Sequence, residues 1–325
     1  MGLGTIAGER PASTLNPKMS LFRKVLTRPI WWWERHRRYR IRARCRELPP
    51  IHVASRQRKL AILATPDSFL DALWSAWSWY RFLEPEFELV LFCDGDASAL
   101  HLDFARRLFP GVKVQNLQDM AMKMRGCTPG IAPFLDNHPL AKKLALVLTL
   151  QKSGAVLYSD SDVLAFSSPD EISTRLESNH PLYIQEEHHG VFDPAILARA
   201  AQLGLSHAPA LNSGLLYLPS GSLSVDLASN LLAGWEPPMN SWFTEQTVLS
   251  VLLQQAGGSP LPRERYVVSN RRQFYWEHDV DYSKIAVRHF TGPVRHLMYL
   301  KGMKLLSENF SENRRSRKAT SAKNI

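Results

Sequence analysis

The chain has 325 residues, 45% of them apolar and 22% charged, proportions ordinary for a globular protein with one large domain or two small ones. Its net charge of +10 is concentrated at the ends. Residues 1–50 hold twelve Lys/Arg against three Asp/Glu, residues 301–325 hold seven against two, and the stretch between is slightly acidic. The basicity is therefore not a property of the body of the protein, which argues against a body built to grip nucleic acid.

Cys45, Cys93 and Cys127 are odd in number and lack metal-site spacing, which suits a reducing compartment. No apolar run reaches the ~18–20 residues of a spanning helix, and the start lacks the apolar core and small-residue cleavage site of a signal peptide. The expectation is a cytoplasmic protein, peripheral on the inner face of a membrane if its arm binds there. That arm, residues 1–50, opens with a Gly-, Pro-, Ser- and Thr-rich stretch that reads as disordered. Within residues 21–47 it places Trp31-Trp32-Trp33 beside Arg35, Arg37, Arg38, Arg40, Arg42, Arg44 and Arg46. Three readings stand: a helix lying on an anionic membrane surface, an arm that binds nucleic-acid phosphates, or a solvated arm with no partner. Pro49-Pro50 marks the entry to the body, expected over 51–305, and 306–325 reads as a basic disordered tail.

From there the pattern alternates. Lys59–Thr65 is a predicted strand and Ser68–Leu83 a helix, begun at Pro66-Asp67, with Phe69, Leu73, Ala76, Trp77 and Tyr80 as core. Phe87–Asp94 is a second strand, Ala99–Phe109 a second helix and Val112–Val114 a short third strand. Residues 116–138, punctuated by Gly126, Pro129, Gly130 and Pro133, read as a long active-site loop. His138-Pro139 then opens a helix carrying Leu140, Leu144, Val147 and Leu148. Such alternation predicts an α/β fold with a mixed, mostly parallel sheet flanked by helices. No Gly-x-Gly-x-x-Gly follows the first strand and no Walker loop is present, so bound phosphates would need a metal and basic side chains.

The central stretch is Ala155–Phe166, an apolar run interrupted by Asp160 and Asp162. Carboxylates inside a buried strand are costly unless paired. At the mouth of an α/β sheet a divalent cation is the usual partner, and a solvated turn is the plainer alternative. Pro181–Ile184 is a strand leading to Gln185-Glu186-Glu187-His188-His189. Adjacent histidines on an extended segment point to opposite faces, which favours a loop over a zinc site. Asp193-Pro194 starts a helix that runs to Leu203. Asn212-Ser213-Gly214 leads into a buried strand, where Gly214 would let backbone approach a ligand and Asn212 offers donor and acceptor; a tight turn is the alternative. Two helices follow, the second at Phe243–Leu249 with Thr244 as a candidate cap and Glu245-Gln246 in its first turn. Last comes Val287–His296, with a His, a Gly and basic residues after a short strand.

In order and spacing this set resembles the GT-A type nucleotide-diphospho-sugar glycosyltransferases, especially the glycogenin-like and bacterial lipopolysaccharide galactosyl/glucosyltransferase family. The strand around Asp160-Ser161-Asp162 resembles the family's metal motif, Asn212-Ser213-Gly214 its Asn-Ala/Ser-Gly, Glu245-Gln246 its Asp-Gln, and His289-Phe290-Thr291-Gly292 its His-Phe-x-Gly. The resemblance implies the GT-A fold and a metal-dependent glycosyltransferase that moves a sugar from a nucleotide-diphosphate donor, UDP-linked by analogy, to a hydroxyl of a glycan or glycolipid. It implies that Asp160, Asp162 and His289 ligate Mn²⁺ or Mg²⁺. Ala64 and Thr65 would contact the nucleoside, and Ser161, Gly292 and Arg295 would lie on the donor. Lys143 reads equally as a donor contact and as an exposed helix charge. Asn212, Gln185, Glu245 and Gln246 would face the donor sugar and the acceptor. Two departures are plain: Arg295-His296-Leu297 stands where the family has Lys-Pro-Trp, and Glu245 replaces Asp. A sugar nucleotidyltransferase would need a Gly-rich basic loop that Ala64-Thr65-Pro66-Asp67 does not supply. A non-catalytic nucleotide-sugar-binding protein on the same fold is the other alternative.

Overall fold

The computed structural model describes residues 38–53, 55–83, 87–186, 192–236, 242–268 and 280–308. The arm's tryptophans, His188-His189 and residues 309–325 lie outside them. The compact unit that carries the described fold runs from Ile41. Cys45 and Leu48 are buried in its core. The tryptophans of the first helix reach back to this entry segment: the indole N–H of Trp74 donates to the Arg42 carbonyl at 3.1 Å and that of Trp77 to the Pro49 carbonyl at 3.3 Å.

Among the described residues the strands β1 (Arg58–Ala64), β2 (Phe87–Cys93), β3 (Lys113–Asn116), β4 (Val156–Asp160), β6 (Leu182–Gln185), β7 (Leu211–Leu218) and β8 (Ser259–Pro260) form one sheet, ordered β3-β2-β1-β4-β7-β6-β8. The β3-β2-β1-β4 half is parallel, and β7 runs antiparallel to both β4 and β6. A second sheet, ordered β5-β10-β9, is built from β5 (Val163–Ala165), β9 (Tyr266–Val268) and β10 (Val287–His289). The inner strands β2, β4 and β7 are buried on both faces because both faces of the sheet are covered there, whereas the edge strand β3 is polar and partly exposed. Alternate residues divide between two cores: Leu60, Ile62, Leu157 and Leu215 face one, and Ala61, Val156, Tyr158 and Leu216 the other.

The first helix, α1 (Phe69–Tyr80), has all twelve residues buried because it packs between the two sheets. Its aromatics are core, as their spacing predicts. The 3-10 turn Pro66–Ser68 that leads into α1 is closed by a reciprocal capping box between Thr65 and Ser68. The buried serines of α1 hold the small sheet: Ser75 donates to the Val163 carbonyl at 2.6 Å, and the Ser78 hydroxyl accepts from the Ala165 amide at 2.9 Å.

Next come α2 (Ala99–Leu108), α3 (Leu117–Cys127), α4 (Ala132–Asn137) and α5 (Ala141–Leu150). The loop expected over 116–138 is therefore helical. Asn116 caps α3 by accepting from the Gln118 amide at 2.8 Å, and Leu117, Ala121 and Met124 bury one stripe. Pro129 and Pro133 sit in the first turns of short helices, where a missing N–H costs nothing. Further helices are α6 (Asp170–Ser173), α7 (Pro194–Gln202), α8 (Val225–Leu232) and α9 (Thr244–Gln255), and a short helical turn Arg295–Leu297 runs into a π turn, Met298–Gly302. Thr244 does not cap α9. It lies inside the helix and donates to Asp193 at 2.5 Å, while Asp193 caps α7. No helix of the described residues is long and apolar enough to cross a membrane.

Candidate metal and donor site

The run Ala155–Phe166 divides where its carboxylates fall. β4 ends at Asp160 in the large sheet, Ser161 and Asp162 turn, and β5 enters the small sheet. The Asp-x-Asp pair therefore occupies the corner between two sheets. In register, Asp160 lies opposite Leu63 of β1, which brings the strand end Ala64-Thr65 to the same edge. The turn is held from below by α1, where the indole N–H of Trp79 donates to the Ser159 hydroxyl at 3.1 Å.

His289 arrives from β10, antiparallel to β5 and paired with Val163. Its Nε2 lies 3.2 Å from Asp162 Oδ1 and 4.0 Å from Asp160 Oδ2. The three residues can present ligand atoms all within 4.8 Å of one another. Metal–ligand bonds of about 2.0–2.2 Å reach about 4.4 Å across an ion, so the set closes on one with a shift of a few tenths of an ångström. Two carboxylates and one imidazole suit Mn²⁺ or Mg²⁺, so the residues fit the ion that the resemblance implies.

Asn212 settles the tautomer. Its Oδ1 accepts from the Gly214 amide at 2.9 Å, and its Nδ2 donates to Glu186 at 2.7 Å. The oxygen thus faces His289 Nδ1, 2.9 Å away. An acceptor there requires Nδ1 to carry a proton, which leaves Nε2 directed at the carboxylates, the arrangement a metal ligand needs. Asn212 is therefore a positioning residue whose amide is already engaged. Gly214 likewise serves the chain itself: a Cβ on it would lie 2.2 Å from His289 Cε1 and 2.5 Å from Nδ1. What approaches this glycine closely is the histidine ring.

Lys143 decides between its two readings. Only 5% exposed, it donates to Asp160 Oδ2 at 3.1 Å and to the Ser213 hydroxyl at 3.0 Å, with Glu245 Oε1 3.8 Å away. It is a buried cation of the site, not a solvated helix charge. Ser213 in turn donates to Glu245 Oε2 at 3.1 Å, and its amide donates to Gln246 Oε1 at 3.3 Å. The first turn of α9 is thereby docked on β7. Glu245 Oε1 is buried without a hydrogen-bond partner.

Arg295 places Nε 3.1 Å from Asp162 Oδ2, and its Nη2 also donates to that oxygen. Burial opposes ionisation of Asp162, but His289 and Arg295 more than offset it, holding the carboxyl well below the usual range. Burial also disfavours charge on His289, yet Asp162 and Asp160 raise its pKa overall. Lys143 behaves alike, with Asp160 and Glu245 outweighing its burial. For Glu245 burial wins: despite Lys143 its pKa is pushed up to about 7.

Some expected members have other partners. Gln185 donates its amide to the Leu261 carbonyl at 2.8 Å, and it is Glu186, the next residue, that reaches Asn212. Ala64 is buried at the end of β1 and its carbonyl accepts from the Asp94 amide at 2.8 Å. Thr65 is exposed and shares its side chain with the helix cap. Ser161 is half-buried in the turn. Gly292 is exposed, with no neighbour within 4 Å of an added Cβ. Tyr158 and Glu186 join this cluster without having been singled out in the sequence, and Ser213, quoted there only as the middle of Asn-Ser-Gly, links Lys143 to Glu245. Tyr158 was findable by strand period, since residue i−2 shares the face of Asp160, to which its hydroxyl donates. A cleft of about 1040 Å³, lined by Arg56, Arg58, Ser153 and Glu177 among others, opens at the opposite end of β1 and β4, away from these carboxylates.

The architecture is that of the GT-A glycosyltransferases. The WbbM bifunctional glycosyltransferase matches with TM-score 0.50 at 14% identity, over 75% of this chain and 47% of that one, so this chain spans about half its length. Mouse xyloside xylosyltransferase 1 matches with TM-score 0.47 at 13% identity, over 75% of this chain and 99% of that one. The galactosyltransferase LgtC, in complex with donor and acceptor sugar analogues, matches with TM-score 0.46 at 16% identity, over 72% and 87%. No family model and no curated protein matches the chain.

Proposed function

We propose that this protein is a metal-dependent glycosyltransferase that uses a nucleotide-diphosphate sugar, UDP-linked by the resemblance of its motifs, and a hydroxyl acceptor on a glycan or glycolipid. The observation that carries the reading is the convergence of Asp160, Asp162 and His289 at the corner between the sheets, beside the buried Lys143. A bound Mn²⁺ or Mg²⁺ would supply charge stabilisation to the leaving diphosphate.

The remaining work falls to the chain. The bond between the anomeric carbon and the diphosphate oxygen breaks with its electron pair going to that oxygen. The acceptor oxygen bonds to the anomeric carbon, and its proton passes to the departing diphosphate, which balances the step. Lys143 and Arg295 are the cations within reach of the carboxylate pair, and they offset charge gathering on the diphosphate. Glu245 Oε1, 3.8 Å from Lys143 and without a hydrogen bond, has room for a donor, and a donor-sugar hydroxyl is the group it suits. Asn212 and Gly214 keep the His289 ring in place, and Gln246 ties α9 to β7.

The test is binding of UDP, against ADP, GDP and CDP, with and without Mn²⁺, read by calorimetry and thermal shift. UDP stabilisation that requires Mn²⁺ and is lost in Asp160→Asn supports the reading. No stabilisation by any of the four nucleotides overturns it.

A further inference from the structure

The Asp162 carboxylate is faced on both oxygens. Oδ1 lies against His289 Nε2 and Oδ2 accepts from two nitrogens of Arg295. The two partners differ in freedom. The His289 ring is buried, wedged over Gly214 and held by Asn212. The Arg295 side chain is 43% exposed, against 5% for Asp162, and it follows the short turn Gly292–Val294, whose first residue is open to solvent. One partner is enclosed and the other reaches solvent.

Charge makes the same distinction. Asp160 is paired with Lys143 and Asp162 with Arg295, so two side-chain cations already balance the two carboxylates. A dication entering this set alone would meet both cations at short range in a partly buried site, where repulsion is poorly screened. A dication entering with a diphosphate brings a new anionic partner for the guanidinium, which grips phosphate oxygens as readily as a carboxylate.

We propose that Arg295 is an exchangeable counter-cation: it closes on Asp162 when the site holds no metal, and transfers to the donor's diphosphate when metal and donor bind together. This rests on the glycosyltransferase reading above. It makes metal and nucleotide binding mutually reinforcing, because each removes a cost the other would meet alone, and the coupling is the same from either side. Arg295 thus sets the order of loading and keeps the free protein from taking up metal without its donor.

The test is titration of the full chain with Mn²⁺ alone, by calorimetry and by the spin-resonance signal of free Mn²⁺, then with saturating UDP. Wild type should bind Mn²⁺ alone weakly and gain about tenfold or more with UDP. In Arg295→Gln, binding of Mn²⁺ alone should tighten about tenfold and the gain from UDP should shrink. Arg295→Lys, which keeps the charge without the fork, should fall between the two. An Arg295→Gln protein of unchanged circular dichroism that binds Mn²⁺ alone no tighter than wild type overturns the exchange, even where Mn²⁺ and UDP bind together. Wild type that binds no Mn²⁺ in the presence of UDP overturns the transferase reading, and the exchange with it.

Discussion

Gly214→Ala isolates the part of the site that depends on space alone. The backbone at Gly214 is not left-handed, so alanine brings no conformational penalty and acts only through its methyl group. That methyl would lie 2.2 Å from His289 Cε1, and reaching ordinary contact at 3.4 Å moves the ring by about 1.2 Å. The ring has little room, because Asn212 Oδ1 holds Nδ1 at 2.9 Å and would itself lie 3.0 Å from the new Cβ. Overpacking of this kind costs about 1–3 kcal/mol of stability. Metal sites tolerate only about 0.2 Å in ligand distance, and disturbing the groups that orient a ligand typically costs about 10–100-fold in affinity. Two measurements check the argument: urea unfolding of metal-free protein, and Mn²⁺ titration in the presence of UDP. The variant should lose stability and at least tenfold in metal affinity. Wild-type values in both would refute the claim that His289 is seated on this glycine as a ligand.

The remaining predictions concern titration and the core. Glu245 has a folded pKa of about 7 against an ordinary 4.5, so its contribution to stability is full below pH 4.5 and is lost as pH rises through 7. The difference is roughly 3 kcal/mol. His289, also raised, acts in the same direction from 6.5 upward, whereas the depressed Asp162 contributes above the usual carboxylate range and loses its contribution in acid. Metal-free wild type should therefore weaken between pH 5 and 8, and Glu245→Gln should flatten that decline; an unchanged pH slope of the melting temperature would count against the buried carboxylate. Asp71 is buried on α1, accepting from Arg42 Nε at 2.7 Å and from the Tyr299 hydroxyl at 3.0 Å. Asp71→Ala removes the buried carboxylate that both donors face and should cost about 3–5 kcal/mol in urea unfolding, with Asp71→Asn losing less; a loss under about 1 kcal/mol in the alanine variant would place the pair among weak surface contacts.

Much of this protein was written locally. The period-2 and helical patterns of residues 59–114 and 139–150 predicted β1, β2, β3, α1, α2 and α5 to within a few residues, because each buries a face set by its own spacing. The meeting of Asp160, Asp162 and His289 was legible because the two aspartates interrupt a run that otherwise demands burial, and because His289 follows in a motif of known order. Residues 116–138 misled because Gly and Pro break helices only in their interiors, whereas Pro129 and Pro133 begin helical turns and Gly126 closes one. Other features had no local signature at all. The division of one apolar run into β4 and β5 is decided by pairing partners more than fifty residues away in sequence, Leu215–Leu218 for one strand and Val287–His289 for the other. The burial of Lys143, the grip of Arg295 on Asp162 and the seating of His289 over Gly214 join residues 70–133 positions apart. Sequence alone determined which chemical groups this chain carries and which stretches must be buried. Tertiary structure decided which of those groups meet, because ion pairing and close packing depend on distances of a few ångströms that only the assembled sheets create.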